Sequence, residues 1–243
     1  MSKKVVISMS GGLDSTCLAL HMLAQGKEVK AYAFNYGQNH SVELDKLKLN
    51  VRFLEEKGLP ISLQVIDLTD VFSDSQSSLT GNGSIPTGHY EDSNMKSTVV
   101  ENRNVIFSSI IYGKALSWSK QTDSDVEITL GIHAGDHTIY PDCTPESQNM
   151  ARELFKISNW GSERIDYVAP FVNSTKGEVL KAGLDAMVEM GFDDMDIEYV
   201  LNHTHTCYSP DSEGRSCGKC GSCTERLEAF DYVNMKDPVA YQE

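Results

Sequence analysis

Hydrophobic positions fall into short continuous runs and into longer stretches with one apolar face, and the two kinds of segment alternate along the chain. The short runs predict strands at 5–7, 29–34, 61–66, 126–131 and 165–169. The longer stretches predict helices over 15–24, 41–57, 104–118 and 145–157, and a fifth that runs from a cap at Ser174 or Thr175 to Met190. This alternation predicts an α/β fold, a doubly wound parallel sheet with helices on both faces.

A polar stretch interrupts the pattern between residues 73 and 98. It is rich in Ser, Gly, Asn, Asp and Thr and contains few apolar residues. A segment of this length without periodicity is typically a functional lid or a disordered region. We therefore expect a lid over a ligand site or, in the absence of ligand, disorder.

The composition is that of a globular protein with a strongly acidic surface. The 243 residues include 21 basic and 35 acidic side chains, which give a net charge of −14. This charge repels nucleic-acid backbones, and no basic cluster offsets it, so we expect a small-molecule substrate and no direct nucleic-acid partner. The sequence contains no apolar run of membrane-spanning length and does not open with a signal-peptide pattern, which predicts a cytoplasmic protein without a membrane partner.

Residues 4–18, KVVISMSGGLDSTCL, carry the clearest functional signal. A buried strand is followed by a turn with two glycines and then by a helix, an order that presents backbone N–H groups and a positive dipole end to a phosphate. Neither a Walker lysine nor a G-x-G-x-x-G motif is present. Asp14 lies in the loop instead, which suits a metal ion that accompanies phosphates or a cap of the following helix. The alternative is a glycine turn without a ligand.

Four polar segments follow predicted strands or lie near their ends: 10–15, 35–40, 133–142 and, more distantly, 173–176. In open parallel sheets, ligands bind beyond the carboxyl ends of the strands. We therefore expect these four segments to converge on one cleft.

Four of the six cysteines, at 207, 217, 220 and 223, form a C-x9-C-x2-C-x2-C pattern. Clustered cysteines in a cytosolic chain indicate a metal site, and four thiolates with this spacing favour a closed, structural zinc site over an iron–sulfur cluster. The expected ligands are Cys207, Cys217, Cys220 and Cys223. We expect Cys17 and Cys143 to have packing roles, and His203 and His205 to form local hydrogen bonds or to contact the substrate.

The motifs together resemble a known family. The SGGLDS loop resembles the PP-loop of the ATP pyrophosphatase superfamily, and within it the chain looks like the 7-cyano-7-deazaguanine synthases of the QueC/ExsB family. The segments that carry this resemblance are FNYGQNH (34–40), ENRN (101–104), YPDC (140–143), TCY (206–208) and CGKCGSC (217–223). They occur in the family's order and span nearly the whole chain, which we divide into a PP-loop domain (1–200) and a small C-terminal zinc-binding segment (201–243) packed on it.

The resemblance implies a carbon–nitrogen ligase that converts 7-carboxy-7-deazaguanine and ammonia to 7-cyano-7-deazaguanine by two successive adenylations, with ATP cleaved between the α and β phosphates. It implies ATP, Mg²⁺ and Zn²⁺ as the groups bound, and a homodimer. The ATP site is expected to comprise Met9, Ser10, Gly11, Gly12, Leu13, Asp14, Ser15, Thr16 and Lys176.

Within this site the catalytic residues are expected to be Ser10, Asp14, Ser15, Arg103 and Lys176. Asp14 is a candidate magnesium partner, and Lys176 a candidate for neutralising phosphate charge, because the first turn of a helix is otherwise a poor place for a cation. Arg103 offers a planar fork for the substrate carboxylate or a phosphate. The remaining substrate-binding candidates are Tyr36, Asn104 and Tyr140, with Asp136 and Asp142 for the guanine-like edge.

The chain also departs from the family pattern. Residues 101–104 read ENRN, where family members commonly have P-G-R-N or G-R-N. His133 and His137 lie in a loop where many relatives carry C-x-T-D-x-S-G. These changes leave open a variant that stops at the amide. Another PP-loop amidoligase, a tRNA thiolase and a non-catalytic zinc-knuckle module are the other hypotheses, and the acidic charge weighs against those that bind RNA.

Overall fold

Five parallel strands form a sheet in the order β3-β2-β1-β4-β5 in the computed structural model, which describes residues 3–39, 42–80, 84–88, 93–138 and 140–243. All neighbouring strands pair in parallel. The strands are β1 (Lys4–Ser8), β2 (Glu28–Asn35), β3 (Ile61–Asp67), β4 (Val126–Leu130) and β5 (Ile165–Val168). The predicted doubly wound parallel sheet is therefore confirmed, with each predicted strand present.

Seven α-helices accompany the sheet in the described part of the chain. They are α1 (Leu13–Ala24), α2 (Val42–Glu56), α3 (Arg103–Thr122), α4 (Pro145–Ser158), α5 (Lys176–Glu189), α6 (Asp194–Asn202) and α7 (Gly221–Tyr232). The first five match the predicted helices, although the expected start of α2 at residue 41 lies outside the described residues. Thr175 caps α5: its hydroxyl accepts from the N–H of Glu178 (3.3 Å), and the Glu178 carboxylate accepts from the N–H of Thr175 (2.7 Å). The sequence analysis did not predict α6 and α7.

Alternate residues of the central strands point into two separate hydrophobic cores, one on each face of the sheet. Val5 and Ile7 of β1 pack with α1, α2 and α5, whereas Val6 between them packs with α3 and α4. Both faces are covered by helices, which explains why β1 reads as a continuous apolar run and not as an alternating one.

The strand order creates a switch point beside β1. The chain leaves β1 toward β2 and β3 on one side and later returns to place β4 and β5 on the other. The connections after β1 and β4 therefore diverge at the carboxyl edge of the sheet, and the gap between them is where such folds bind ligands.

The described parts of the polar stretch 73–98 pack against the rest of the protein. The N–H of Ser78 donates to the carbonyl of Ser97 (2.8 Å), and Leu79 and Met95 are each 1% exposed. Thr87 pairs with Cys220 as an isolated bridge. None of the described residues of this stretch lines the ligand cleft, so the expected lid over the site stays a prediction; residues 81–83 and 89–92 lie outside the described residues.

The C-terminal segment shares its core with the sheet domain. Phe230 of α7 belongs to the same hydrophobic cluster as α1 and α5. Arg226 is buried and forms a bidentate pair with Asp237 (Nε to Oδ2, 2.6 Å; Nη2 to Oδ1, 3.0 Å) and a hydrogen bond to Thr204. These contacts fix residues 201–243 onto the fold. No helix in the described ranges is long and apolar enough to cross a bilayer.

Candidate active site

A cleft opens at the carboxyl ends of β1 and β4, where the switch point predicts it. It is lined by the glycine loop (residues 10–15), by residues after β2 and β4, and by the first turns of α3 and α5. Four residues between 205 and 222 of the C-terminal segment complete the lining. Each of the four predicted segments, 10–15, 35–40, 133–142 and 173–176, contributes at least one residue to the lining, and His40 and Ile139 lie outside the described residues.

The glycine loop leads into α1, and the N-cap residue of this helix leaves the N–H groups of the first turn without a side-chain acceptor. Gly12 is the N-cap of α1 and has no side chain to accept from the first turn. Gly11 has a φ of +93°, and a Cβ at this position would lie 2.5 Å from the carbonyl oxygen of Glu43, so only glycine fits. The hydroxyls of Ser10 and Ser15 lie 3.2 Å apart on the loop. This arrangement suits an anion at the start of α1.

Lys176 lies at the start of α5 and reaches a group of acidic side chains beside the loop. Its Nζ lies 3.0 Å from Oδ2 of Asp14, 2.9 Å from Oε2 of Glu225 and 3.2 Å from Nε2 of His133. The residue is only 7% exposed, so its ammonium is held among these side chains and not in solvent. Asp136 accepts from the N–H of His133 (3.1 Å) at the edge of the same group.

The charges of this group are coupled. Burial by itself raises the pKa of Asp14, but Lys176 and His133 outweigh it and the pKa is lowered. Burial likewise disfavours the charged form of Lys176, yet Asp14, Glu225 and Asp136 raise its pKa above the ordinary range. Burial raises the pKa of Asp136, and His133 and Lys176 offset it only in part. Asp14 and Lys176 therefore form an ionised pair at neutral pH. Oδ1 of Asp14 has no hydrogen-bond partner among the described residues.

Arg103 begins α3 and lies between two buried tyrosines. Its guanidinium carbon is 5.6 Å from the ring centroid of Tyr36 and 6.0 Å from that of Tyr140, and its Nη1 donates to the Tyr36 hydroxyl (3.4 Å). Each tyrosine is 6% exposed, so the arginine is held by cation–π contacts at the wall of the cleft.

Asn104 links α3 to the loop after β4. Its amide donates to Oδ1 of Asp142 (3.3 Å) and to Sγ of Cys143 (3.4 Å). Cys143, expected to have a packing role, is 2% exposed and also lines the cleft, and burial raises the pKa of its thiol. Asp142 supports Asn104 without lining the cleft, whereas Asp136 lies with Lys176. The two aspartates that the sequence paired on a guanine-like edge thus have different neighbours.

The cleft brings together most of the predicted site residues. Those that line it are Met9, Ser10, Gly12, Asp14, Ser15, Tyr36, Arg103, Asn104, Asp136, Tyr140 and Lys176. Those that do not are Gly11, Leu13, Thr16 and Asp142. Leu13 and Thr16 are 0% exposed because they face the core side of α1, and the Thr16 hydroxyl has no hydrogen-bond partner within the described structure. A phosphate contact by the Thr16 hydroxyl does not fit this position.

Several residues at the cleft were missed by the sequence analysis. Glu43 of α2 lines it and is 6% exposed, and burial raises its pKa to about 8, although Gln38 donates to it (3.0 Å). Glu225 of α7 contacts Lys176. The C-terminal segment adds Thr206, Tyr208 and Ser222 to the lining, together with His205, for which substrate contact was one of the two expected roles. Glu43 follows the polar segment 35–40, so its position at the cleft could have been predicted. No sequence feature near Glu225 predicts its contact with Lys176.

The four predicted cysteine ligands meet at one point. The Sγ atoms of Cys207, Cys217, Cys220 and Cys223 all lie within 4.8 Å of one another. Zn–S bonds of about 2.3 Å require tetrahedral sulfurs about 3.8 Å apart, and the Cys217 and Cys223 sulfurs are 3.9 Å apart. The N–H groups of Ser209 (3.3 Å) and Cys217 (3.1 Å) donate to Sγ of Cys207, which favours a thiolate. The four residues therefore fit a tetrahedral metal ion.

Comparison with known proteins agrees with this geometry. A 7-cyano-7-deazaguanine synthase from Marinomonas sp. (strain MWYL1) is 43% identical over 243 residues, all of both chains. One from Hahella chejuensis is 40% identical over 98% of this chain and 93% of its own. Among solved structures, the U34-tRNA thiolase NcsA from Methanococcus maripaludis with its 4Fe-4S cluster has a TM-score of 0.44 and 17% identity, and the match covers 95% of this chain and 64% of that one. At this level of similarity, the function of the thiolase says nothing about the function of this chain.

The family model described as queuosine biosynthesis protein QueC matches residues 4–234. That range runs from the first residue of β1 to just beyond the end of α7, and it includes the glycine loop, the lysine–carboxylate group and all four cysteines. The chain therefore belongs to the QueC family.

Proposed function

We propose that this protein is an ATP-dependent 7-cyano-7-deazaguanine synthase that acts in queuosine biosynthesis. The names of its full-length relatives support the activity. The observation that carries the proposal is a single cleft in which the open helix start at Gly12, the buried ammonium of Lys176 and the tyrosine-held guanidinium of Arg103 all face the same space. Such a cleft suits a reaction between a triphosphate and a carboxylate.

The proposed reaction uses ATP twice. The carboxylate of 7-carboxy-7-deazaguanine attacks the α phosphorus of ATP, and pyrophosphate leaves. Ammonia then attacks the acyl carbon of the mixed anhydride, a proton is lost and AMP departs to give the amide. The amide oxygen attacks the α phosphorus of a second ATP, pyrophosphate leaves again, and loss of AMP and of both protons of the amide nitrogen yields the nitrile. Each adenylation turns an oxygen that leaves poorly into one that leaves as AMP.

In this scheme the glycine loop and Lys176 receive the departing pyrophosphate. Backbone N–H groups at the start of α1 and the hydroxyls of Ser10 and Ser15 donate to phosphate oxygens, and the dipole of α1 favours the negative charge. Lys176 supplies a buried positive charge whose interactions are strengthened by the low dielectric of the cleft. Because pyrophosphate gains charge as the bond breaks, these groups stabilise the transition state more than bound ATP.

Magnesium is proposed to accompany the phosphates at Asp14. The unpartnered Oδ1 of Asp14 is a hard oxygen donor, and the lowered pKa keeps the group ionised, which is the donor chemistry that Mg²⁺ prefers. When bound, the ion would offset part of the phosphate charge. Asp14 itself orients Lys176 through Oδ2, so one carboxylate serves both the metal and the lysine.

The substrate is proposed to lie at the Arg103 end of the cleft. Arg103 offers two parallel N–H groups to a carboxylate, and its position between Tyr36 and Tyr140 limits its rotation. The same tyrosines are candidates for contact with the deazaguanine ring. Asn104, held by Asp142, is the proposed polar contact at this end, whereas Asp136, which the sequence assigned to the guanine-like edge, lies with His133 and Lys176 at the phosphate end.

The four cysteines are proposed to hold Zn²⁺ in a structural role, since four protein ligands leave no coordination position for a substrate. Ammonia is proposed to enter either free or from another protein. Of the two histidines that depart from the family pattern, His133 contacts Lys176, so its closest effect is on the phosphate end of the cleft.

The proposal is tested by incubating the protein with ATP, Mg²⁺, ammonium and 7-carboxy-7-deazaguanine and following products by mass spectrometry. The expected result is the nitrile, with two AMP formed for each nitrile. Accumulation of the amide with one AMP would favour the variant that stops at the amide. Absence of AMP and of any mass change would refute the proposal. A gel-shift assay with bulk tRNA tests the thiolase hypothesis, and we expect no shift because of the acidic surface.

A further inference from the structure

The helix that leaves the cysteine cluster carries a carboxylate into the proposed ATP site. Cys220 is the N-cap of α7 and Cys223 lies in its first turn. Glu225 follows two residues later, and its Oε2 lies 2.9 Å from Nζ of Lys176. The cysteine cluster therefore fixes the start of the same helix that delivers Glu225 to the active-site lysine.

The carboxylate of Glu225 occupies a space that exists because Gly135 has no side chain. Its side chain is 13% exposed and lies 3.9 Å from Nε2 of His133. A Cβ on Gly135 would lie 2.2 Å from Oε1 of Glu225, so residue 135 has to lack a side chain for the carboxylate to reach Lys176. The loop after β4 and the helix after the cysteines thus fit together at this point.

Two carboxylates from different parts of the fold hold the ammonium of Lys176, and the imidazole of His133 lies beside them, with its Nε2 at 3.2 Å from Nζ. Asp14 approaches Nζ at 3.0 Å from the glycine loop, and Glu225 approaches it at 2.9 Å from α7. A lysine side chain has four rotatable bonds, so a single anchor leaves its end free to swing about the partner. Without Glu225, the ammonium would be drawn onto Asp14, the carboxylate proposed to serve magnesium.

A second contact joins the C-terminal segment to the glycine loop. The N–H of His205 donates to the carbonyl of Gly11 (2.9 Å). The segment that contains the cysteines therefore contacts the loop directly and the lysine through Glu225. A segment with only a stabilising role needs neither contact.

We propose that Glu225 is a positioning residue that holds the ammonium of Lys176 for the departing pyrophosphate, so that the four-cysteine segment contributes to catalysis as well as to folding. This inference rests on the proposed function for the role of Lys176. The Glu225–Lys176 contact itself does not depend on which substrate is adenylated.

The test compares Glu225→Gln with Asp231→Asn in the full-length, metal-loaded protein. Both variants remove one negative charge from α7, but Asp231 is exposed and lies in the last turn of the helix. In Glu225→Gln we expect kcat for AMP formation to fall about tenfold or more, with the KM for the carboxylate substrate unchanged. Glu225→Asp, which keeps the charge at a shorter reach, should recover part of the loss. Zinc content and Tm should match those of the parent protein.

Asp231→Asn should behave as the parent protein in all of these measurements. A kcat for Glu225→Gln within twofold of the parent value would overturn the proposal. A loss of kcat that appears only together with loss of zinc would also overturn it, because it would show a purely structural role.

A second measurement is independent of enzyme activity. The rate at which an N-hydroxysuccinimide ester acylates Lys176 is followed by peptide mass spectrometry, with the exposed Lys181 of the same helix as an internal reference. Loss of one anchor should raise the Lys176 rate several-fold in Glu225→Gln and leave it unchanged in Asp231→Asn. An unchanged Lys176 acylation rate in Glu225→Gln would refute the positioning role, whether or not the parent protein forms AMP. Absence of AMP formation by the parent protein would by itself reject only the proposed function.

Discussion

The glycine loop and the cysteine cluster both precede a helix whose N-cap provides no side-chain hydrogen bond, yet they differ in how their sites are completed. Gly12 caps α1 and Cys220 caps α7. The cysteine site draws all its ligands from residues 207–223. The proposed phosphate site, by contrast, combines the loop with Lys176 and Glu225 from distant segments. We therefore expect damage at the cysteines to affect folding first, and damage at the cleft to affect catalysis first.

The largest effect is expected when a cysteine ligand is removed. Cys220→Ser should lose the metal and lower the free energy of unfolding by more than about 4 kcal/mol, because metal binding is coupled to folding of the segment. Metal analysis by mass spectrometry and thermal unfolding measure both effects, and the same analysis of the parent protein distinguishes zinc from iron. Cys17→Ala, which removes a buried thiol elsewhere, should keep the metal. Full metal content with an unchanged Tm in Cys220→Ser would contradict the structural role.

The next effect concerns the lysine of the cleft. Lys176→Met should lower kcat about 10²- to 10³-fold, because a preorganised charge at the departing phosphate is lost. Metal content should stay complete, which would separate the two sites experimentally. Lys181→Met on the same helix is the matched control, since its side chain is exposed and pairs only with Asp185 in the described structure. Parent-like AMP formation by Lys176→Met would remove Lys176 from the mechanism.

A smaller and more selective effect is expected at Arg103. Arg103→Lys keeps the charge but loses the planar fork, so the KM for 7-carboxy-7-deazaguanine should rise about 10- to 100-fold while the KM for ATP changes little. Steady-state kinetics with each substrate varied in turn measure the split. Arg52→Lys, at an exposed position on α2, serves as control. An increase confined to the KM for ATP would assign Arg103 to a phosphate instead.

The smallest effect is a dependence of stability on pH that originates at Glu43. Its folded pKa of about 8 lies above the ordinary value of 4.5 because the group is buried. Between these values the folded state holds a proton that the unfolded state has released. Stability should therefore fall as pH rises, by about 1 kcal/mol per pH unit.

Glu43→Gln should remove this slope between about pH 5 and pH 7.5, as measured by denaturant unfolding at several pH values. Glu55→Gln, at an exposed position on the same helix, should retain it. A parent-like slope in Glu43→Gln would mean that the group is ionised in the folded protein.

Much of the fold was predictable from local pattern. The strands and the first five helices follow from apolar periodicity. The sequence narrowed the cap of α5 to Ser174 or Thr175, and the structure shows that Thr175 forms a capping box with Glu178. The C-terminal helices were missed for a physical reason. The buried face of α7 carries cysteine ligands and Arg226, and the partner of Arg226, Asp237, lies beyond the helix. Because these buried side chains are not apolar residues at helical spacing, the sequence shows no apolar periodicity there.

The sequence by itself determined the two local features of this protein, the glycine turn between β1 and α1 and the spacing of the four cysteines, because short-range geometry fixes both. Only the tertiary structure decided that Asp136 lies with Lys176 while Asp142 supports Asn104, that Glu43 is buried against the loop, and that Glu225 reaches the lysine. Those contacts join residues far apart in sequence, and they form only when parallel strand pairing brings the separate segments to one edge of the sheet.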